Sequence, residues 1–365
     1  MRVTQLLGSS AGGVAQHVAQ ISSLLSHDNT DVLIASPSTL HDKFSSIARH
    51  QAVEIADRPQ LSDIQVVRQL RHLAGQTDVM HAHGLRAAAL AGIAVRTLPK
   101  ARRPRFIVTL HNMPVGSKHV HLIAQVLEKI VARTADAVVG VSMDIVDHMK
   151  NRGAHTQGRA LVPAPVLTSS SENPAKVRQQ LVGELDLPAD SSIVLTIARL
   201  APQKGLDTLI SAAQILQDST SRPCVWLVAG DGPLAPQLNN AIEENNAPVV
   251  LLGRRNDIAE LLHASDVVVN AAVWEGQPIA VQEALQAGKA IVATDAGGTR
   301  EVTGDAAILT EVSNAAEMAA AIHTLLHNPE EKAAYEQRAK KQADTLPTAA
   351  EVLASLHQLY GGEAQ

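Results

Sequence analysis

The chain has 365 residues, 45% apolar, 18% charged and 2% aromatic, with a net charge of −5. That length suits two domains, and that apolar fraction supplies their cores, which excludes a disordered chain. Two Trp, two Tyr and two Phe argue against aromatic platforms for single-stranded nucleic acid, and the acidic balance leaves no general field to hold a polyanion.

The opening MRVTQLL is too short an apolar run for a signal peptide, and residues 3–7 read as a strand. Residues 11–13 form a glycine turn, followed by an amphipathic helix over 14–25. Strands over 31–35, 79–82, 106–110 and 137–141 alternate with helices over 63–73, 85–95 and 121–133, the rhythm of parallel βαβ units. The Pro- and Ser-rich stretch 162–174 carries no periodicity and reads as a linker. The rhythm then restarts, with strands over 193–197, 225–229, 249–252, 267–270 and 290–294 and a helix over 205–216. Residues 348–360 predict a last helix that folds back on the first half. No run of about 18 apolar residues offers a membrane span. Cys224, the only cysteine, excludes an intramolecular disulfide and a multi-cysteine metal site, and fits a reducing cytoplasm.

These elements predict an α/β chain of two doubly wound, Rossmann-like domains facing across a cleft, 1–165 and 166–346, with 347–365 returning to the first. Ligands of such sheets bind at the C-terminal edges of the strands. The chemistry-bearing residues cluster in those loops. Gly12-Gly13 lies between the first strand and first helix, where backbone N–H groups can approach an anion. It lacks the G-x-G-x-x-G spacing, and Asp31 opens rather than ends the second strand, so a nicotinamide enzyme is disfavoured. Arg199 and Lys204, in ARLAPQKG, can converge on a diphosphate; taken alone they read as solvated surface charge. Gly230 lies in the turn AGDGP. Glu275 precedes a helix begun by Pro278, and Glu283 falls on its second turn, at most about 12 Å away. That separation suits two ends of one extended ligand better than a proton-sharing pair; the plainer alternative is a helix-dipole effect plus a surface charge. Gly297-Gly298 makes one more glycine turn at a strand end. His81, His83 and His111 also sit at strand ends, where a lone histidine is more often a packed or surface group. H-E-x-x-H, D-x-D, Walker A and G-x-S-x-G patterns are absent, so no metal is expected.

Taken as a set, Gly12-Gly13, TLHN with His111, Val141-Ser142, ARLAPQKG, AGDGP, EGQPIAVQEALQAGKAIVATDAGG and TRE resemble the retaining family-4 glycosyltransferases of the GT-B fold, over nearly the whole chain. The resemblance implies transfer of a hexose or N-acetylhexosamine from a UDP- or GDP-sugar, with no cofactor or metal. It implies that Arg199 and Lys204 bind the donor diphosphate, Glu283 the ribose hydroxyls and Glu275 the transferred sugar. His111 would lie near the anomeric centre or the sugar 6-hydroxyl, and Gly12-Gly13 near the pyrophosphate or the acceptor. Backbone around Gly253 and Arg254 would meet the base. The donor loop would run through Gly276, Gln277, Pro278 and Ile279, and Gln277 stands where the family often has an aromatic, which bears on sugar identity. Retention implies front-face attack with the leaving phosphate assisting deprotonation. The competing readings are a GT-B sugar-nucleotide epimerase and a non-catalytic nucleotide-sugar binder. The acceptor, a sugar, lipid-linked sugar or small molecule, is not specified. The basic run Lys100, Arg102, Arg103 and Arg105 would dock on the inner membrane surface as membrane-bound members do, or is a solvated loop.

Overall fold

The computed structural model describes residues 1–9, 12–56, 58–113, 117–164, 167, 173–219 and 222–361. Ala11 of the expected glycine turn and residues 165, 166 and 168–172 of the expected linker lie outside them. The chain divides into two compact units, Met1–Pro163 with Pro347–Gln365, and Ala164–Leu346.

In the first unit the strands are β1 (Arg2–Leu7), β2 (Asp31–Ser36), β3 (Arg49–Ala52), β4 (Val79–His83), β5 (Arg105–Leu110), β6 (Ala137–Gly140) and β7 (Thr156–Arg159). They pair in parallel in the order β3-β2-β1-β4-β5-β6-β7. The central strand β4, VMHAH, is buried along its whole length, as strands covered on both faces must be. β3 and β7 were not anticipated. They are edge strands, RHQA and TQGR, half open to solvent, so they carry no apolar run to announce them.

The second unit repeats the plan with β8 (Ser192–Ile197), β9 (Cys224–Ala229), β10 (Val249–Gly253), β11 (Val267–Asn270), β12 (Ile291–Thr294) and β13 (Ala307–Thr310), in the order β10-β9-β8-β11-β12-β13. Alternation along the strands builds a core on each face. Val194, Trp226, Val267 and Val292 fill one, and Ile193, Leu227, Val268 and Ile291 the other.

The helix Ala349–Tyr360 opens on a capping box between Thr348 and Glu351 and ends at Gly361 in the left-handed region. It buries Val352, Leu356, Leu359 and Tyr360 in the first unit's core, against β1, β4 and the helix Gly13–His27.

Candidate active site

At the C-terminal edge of the second unit, each loop is tied to another by backbone hydrogen bonds. Leu200 N–H donates to the Asp231 carbonyl (3.0 Å), Gly230 N–H to Gly253 (2.8 Å), Val273 N–H to Gln203 (2.9 Å) and Gly298 N–H to Glu275 (2.8 Å). These bonds join the loops after β8 and β9, the loop after β9 and the end of β10, the loops after β8 and β11, and the loops after β11 and β12. Two glycines make this possible. Gly205 has φ 62°, and a Cβ there would overlap the Ala271 carbonyl oxygen; Gly230 has φ 151°, and a Cβ there would overlap the carbonyl of Ala198.

Lys204 closes the short 3₁₀ turn Pro202–Lys204 just before Gly205. The expected division of labour, Lys204 on a diphosphate and Glu275 on a sugar, meets a finding the spacing did not suggest. Lys204 Nζ donates directly to Glu275 Oε1, and the two side chains are only 18% and 16% exposed. Each holds the other in place. Arg199 and Arg254 are exposed, Gly276 and Pro278 are buried, and Gly230, Gly253, Gln277 and Ile279 are partly covered. Pro278 is the N-cap of the helix Ile279–Gln286, so Glu283 stands on its second turn. Burial pushes the Glu283 carboxyl up to about 6.

On the first unit, Gly13 opens the helix Gly13–His27, and a Cβ on either Gly12 or Gly13 would meet nothing within 4 Å. Packing does not require glycine at Gly13, and the room in front of it is what a close-approaching ligand needs. His111 follows β5 and is partly covered. It stands in a group of imidazoles of which the spacing showed only some members. His83 Nδ1 lies 3.1 Å from His111 Nε2, and the His17 ring packs edge-on against His83 and His111 at 5.8 and 5.3 Å. His17 comes from the helix Gly13–His27 and was not singled out; its only signal is a polar residue at a buried helical position. Burial lowers His17 to about 4 and His81 to about 3, and holds His83 and His111 well below the usual imidazole range, so all four are neutral near pH 7. One nitrogen each of His17, His83 and His111 lies within 4.8 Å of the others, a donor set of the kind that transition metals take. Without an ion, the 3.1 Å contact of His83 Nδ1 with His111 Nε2 is satisfied by a proton on one of the two nitrogens.

Two family models match the chain in succession: Glycosyltransferase Family 4 over residues 11–166 and Glycosyl transferases group 1 over residues 177–342. The chain belongs to family 4 of the glycosyltransferases. It is similar to the Escherichia coli UDP-Gal:alpha-D-GlcNAc-diphosphoundecaprenol alpha-1,3-galactosyltransferase, 28% identical over 60% of this chain and 58% of that one. It is also similar to the Campylobacter jejuni N,N'-diacetylbacillosaminyl-diphospho-undecaprenol alpha-1,3-N-acetylgalactosaminyltransferase, 33% identical over 37% of this chain and 36% of that one. The match thus spans less than two thirds of the length of these curated relatives. Among solved structures, Anabaena HepE in complex with UDP and glucose superimposes with a TM-score of 0.80 at 22% identity, over 99% of each chain. That likeness establishes the fold, which is GT-B, built of two parallel-sheet Rossmann-like units.

Proposed function

We propose that this family-4 chain is a retaining, metal-independent glycosyltransferase that moves a hexose or N-acetylhexosamine from a UDP- or GDP-sugar. The tied loop edge of the second unit carries this reading: Lys204, Glu275, Arg199 and Glu283 all stand on or beside loops locked to one another. When a sugar–phosphate bond breaks, charge develops on the diphosphate, and fixed cations stabilise it most when they need not reorganise. Arg199 and Lys204 supply that charge in place of a divalent ion. Glu275, already beside Lys204, accepts hydrogen bonds from the sugar hydroxyls, and Glu283 from the ribose hydroxyls. The backbone of Gly230, Gly253 and Arg254 meets the nucleotide, and the loop Gly276–Ile279 borders the sugar, with Gln277 facing its variable hydroxyls. His111 and Gly12-Gly13 stand at strand ends of the first unit. The leaving phosphate takes the acceptor proton as attack proceeds on the face it departs from, which keeps the anomeric configuration.

Glu283 provides the test. Its folded pKa of about 6 lies above that of an ordinary carboxyl. Protonated Glu283 therefore favours the folded state below about pH 4.5, and that contribution is lost as pH rises through 6. At pH 7.5 the half-buried carboxylate costs about 1 kcal/mol once solvent screening is allowed for. Glu283→Gln should raise the melting temperature of the ligand-free protein at pH 7.5, with no gain at pH 4.5. In a thermal-shift panel of UDP- and GDP-sugars, the wild type should be stabilised by one donor and this variant should lose that shift. A variant that keeps the full donor shift removes the assignment.

For the acceptor we place a lipid-linked sugar first, since the two relatives act on diphospho-undecaprenol-linked sugars. Among the described residues no helix is long and apolar enough to cross a membrane, so such an acceptor calls for a docking face. Between residues 85 and 135 every Asp, Glu, Lys and Arg is a Lys or Arg except Glu128, which is buried, ion-paired with Arg152 and within hydrogen-bond distance of His148. Leu122 and Val126 are 60% and 54% exposed on the helix Lys118–Thr134. Val126, one turn after Leu122, lines a groove of about 550 Å³ together with Ile93, Arg96, Lys129 and Arg133. Arg86 is paired with Asp63, but apolar side chains among the cations Arg96, Lys129 and Arg133 suit an anionic bilayer surface. Sedimentation with phosphatidylglycerol vesicles should pull down the wild type at low salt, and neutral phosphatidylcholine vesicles should not. Leu122→Glu with Val126→Glu should reduce binding at least about tenfold. Equal binding by this exposed-site variant rules the face out.

A further inference from the structure

Register places four polar side chains on one face of the first sheet. Gln5 lies beside His81, His83 beside Thr109, and His81 and His83 are two residues apart on β4. The same face holds Val3, Leu7, Val79 and Ile107 and receives the helix Ala349–Tyr360, so the polar group forms the C-terminal end of an otherwise apolar surface. Buried polar groups there must satisfy one another.

They do so in a chain whose polarity can be worked out. Gln5 Nε2 donates to the Tyr360 hydroxyl (2.9 Å), which leaves Gln5 Oε1 as an acceptor only. His83 Nε2, 2.8 Å from that oxygen, must therefore carry a proton. Neutral His83 then has a lone pair on Nδ1, so the contact to His111 at 3.1 Å requires the proton to sit on His111 Nε2. In the other direction the Tyr360 hydroxyl, already accepting from Gln5, donates to His81 Nδ1 (2.8 Å), and His81 Nε2–H donates to Thr109 Oγ1 (2.7 Å). On the His83 side the polarity follows from the Gln5 amide alone, so turning that amide reverses both the Gln5–His83 and the His83–His111 bonds. Neutral His111 consequently presents an unprotonated Nδ1.

We propose that Gln5 and Tyr360 are positioning residues which, acting through His83, hold His111 in its Nε2–H tautomer, so that its Nδ1 is the hydrogen-bond acceptor used during sugar transfer. A donor-sugar hydroxyl can donate a hydrogen bond to that nitrogen; in the opposite tautomer Nδ1 would carry the N–H and could only donate. The catalytic part of this inference rests on the glycosyltransferase reading, whereas the tautomer does not.

The test is a long-range imidazole ¹H–¹⁵N correlation spectrum of protein labelled with ¹⁵N-histidine at pH 7.5. His81, His83 and His111 should each be neutral with the proton on Nε2. In Tyr360→Phe, Gln5 loses its acceptor and its amide is free to turn. His111 should then shift toward the Nδ1–H form, turnover should fall about tenfold, and the donor KM should stay within about twofold. Thr109→Val, which unseats the other end of the chain, provides the same readout if Tyr360→Phe does not fold, and Thr109→Ser should restore the wild-type pattern. A proton on His111 Nδ1 in the wild type, a charged His111 at pH 7.5, or an unchanged tautomer in Tyr360→Phe overturns the proposal. Unchanged turnover despite a shifted tautomer overturns its catalytic part. Failure of the wild type to transfer any sugar would count against the function instead, and the spectra would still decide the tautomer.

Discussion

Lys204→Ala is expected to cut turnover about 100- to 1000-fold, the scale at which loss of one fixed group that stabilises transition-state charge is felt. The neighbouring acid makes this more than a generic charge deletion. In the ligand-free protein Lys204 is neutralised by Glu275, so an arriving diphosphate competes with a carboxylate that already holds the ammonium. Glu275→Gln should therefore act on two quantities in opposite directions. Affinity for UDP, measured by titration calorimetry, should rise a few-fold because the lysine is freed, while transfer should fall at least as far as in Lys204→Ala because the sugar loses its acceptor. A Glu275→Gln protein that binds UDP as poorly as Lys204→Ala would mean that the acid serves only to position the lysine.

Two glycine-to-alanine changes should separate packing from ligand access. At Gly205 an alanine must adopt φ 62° and thrust a methyl into the Ala271 carbonyl. The left-handed conformation and the overlap together should cost about 3 kcal/mol. The melting temperature of the second unit should fall by roughly 10 °C. At Gly13, at the start of a helix with nothing within 4 Å, alanine should be neutral or stabilise by about 0.5 kcal/mol. It should nonetheless lower kcat/KM for the donor about tenfold if backbone there approaches the substrate. Calorimetric melting and donor kinetics on the two variants read both halves of the contrast. Equal melting losses would show that Gly13 is a packing residue after all.

The central strands were legible because they are buried on both faces and leave runs dominated by apolar residues, such as VVVN and SIVLTI. Of the edge strands, β10 was legible, whereas β3 and β7, which spend their side chains on solvent, and the four-residue β13 were not. The donor-side motifs were legible because tight loops demand glycine and proline at fixed spacings. What spacing could not show is partnership. Lys204 and Glu275 are 71 residues apart and meet only because the β8 and β11 loops are neighbours on the sheet. His81 and His83 were visible as strand-end histidines, but their meaning depends on Gln5 and on Tyr360, 355 residues beyond Gln5. His17 shows the same limit, a polar residue whose neighbours are set by tertiary packing.

The return of the helix Ala349–Tyr360 to the first unit has a consequence for the order in which a nascent chain matures. Domains made on the ribosome ordinarily finish in the order in which they emerge. Here the stretch translated second is self-sufficient once residue 346 has left the exit tunnel, while the stretch translated first still lacks four of its core side chains. Until Tyr360 arrives, His81 and Gln5 have no shared partner, so the imidazole group of the first unit is unfinished while the second unit can already be folded.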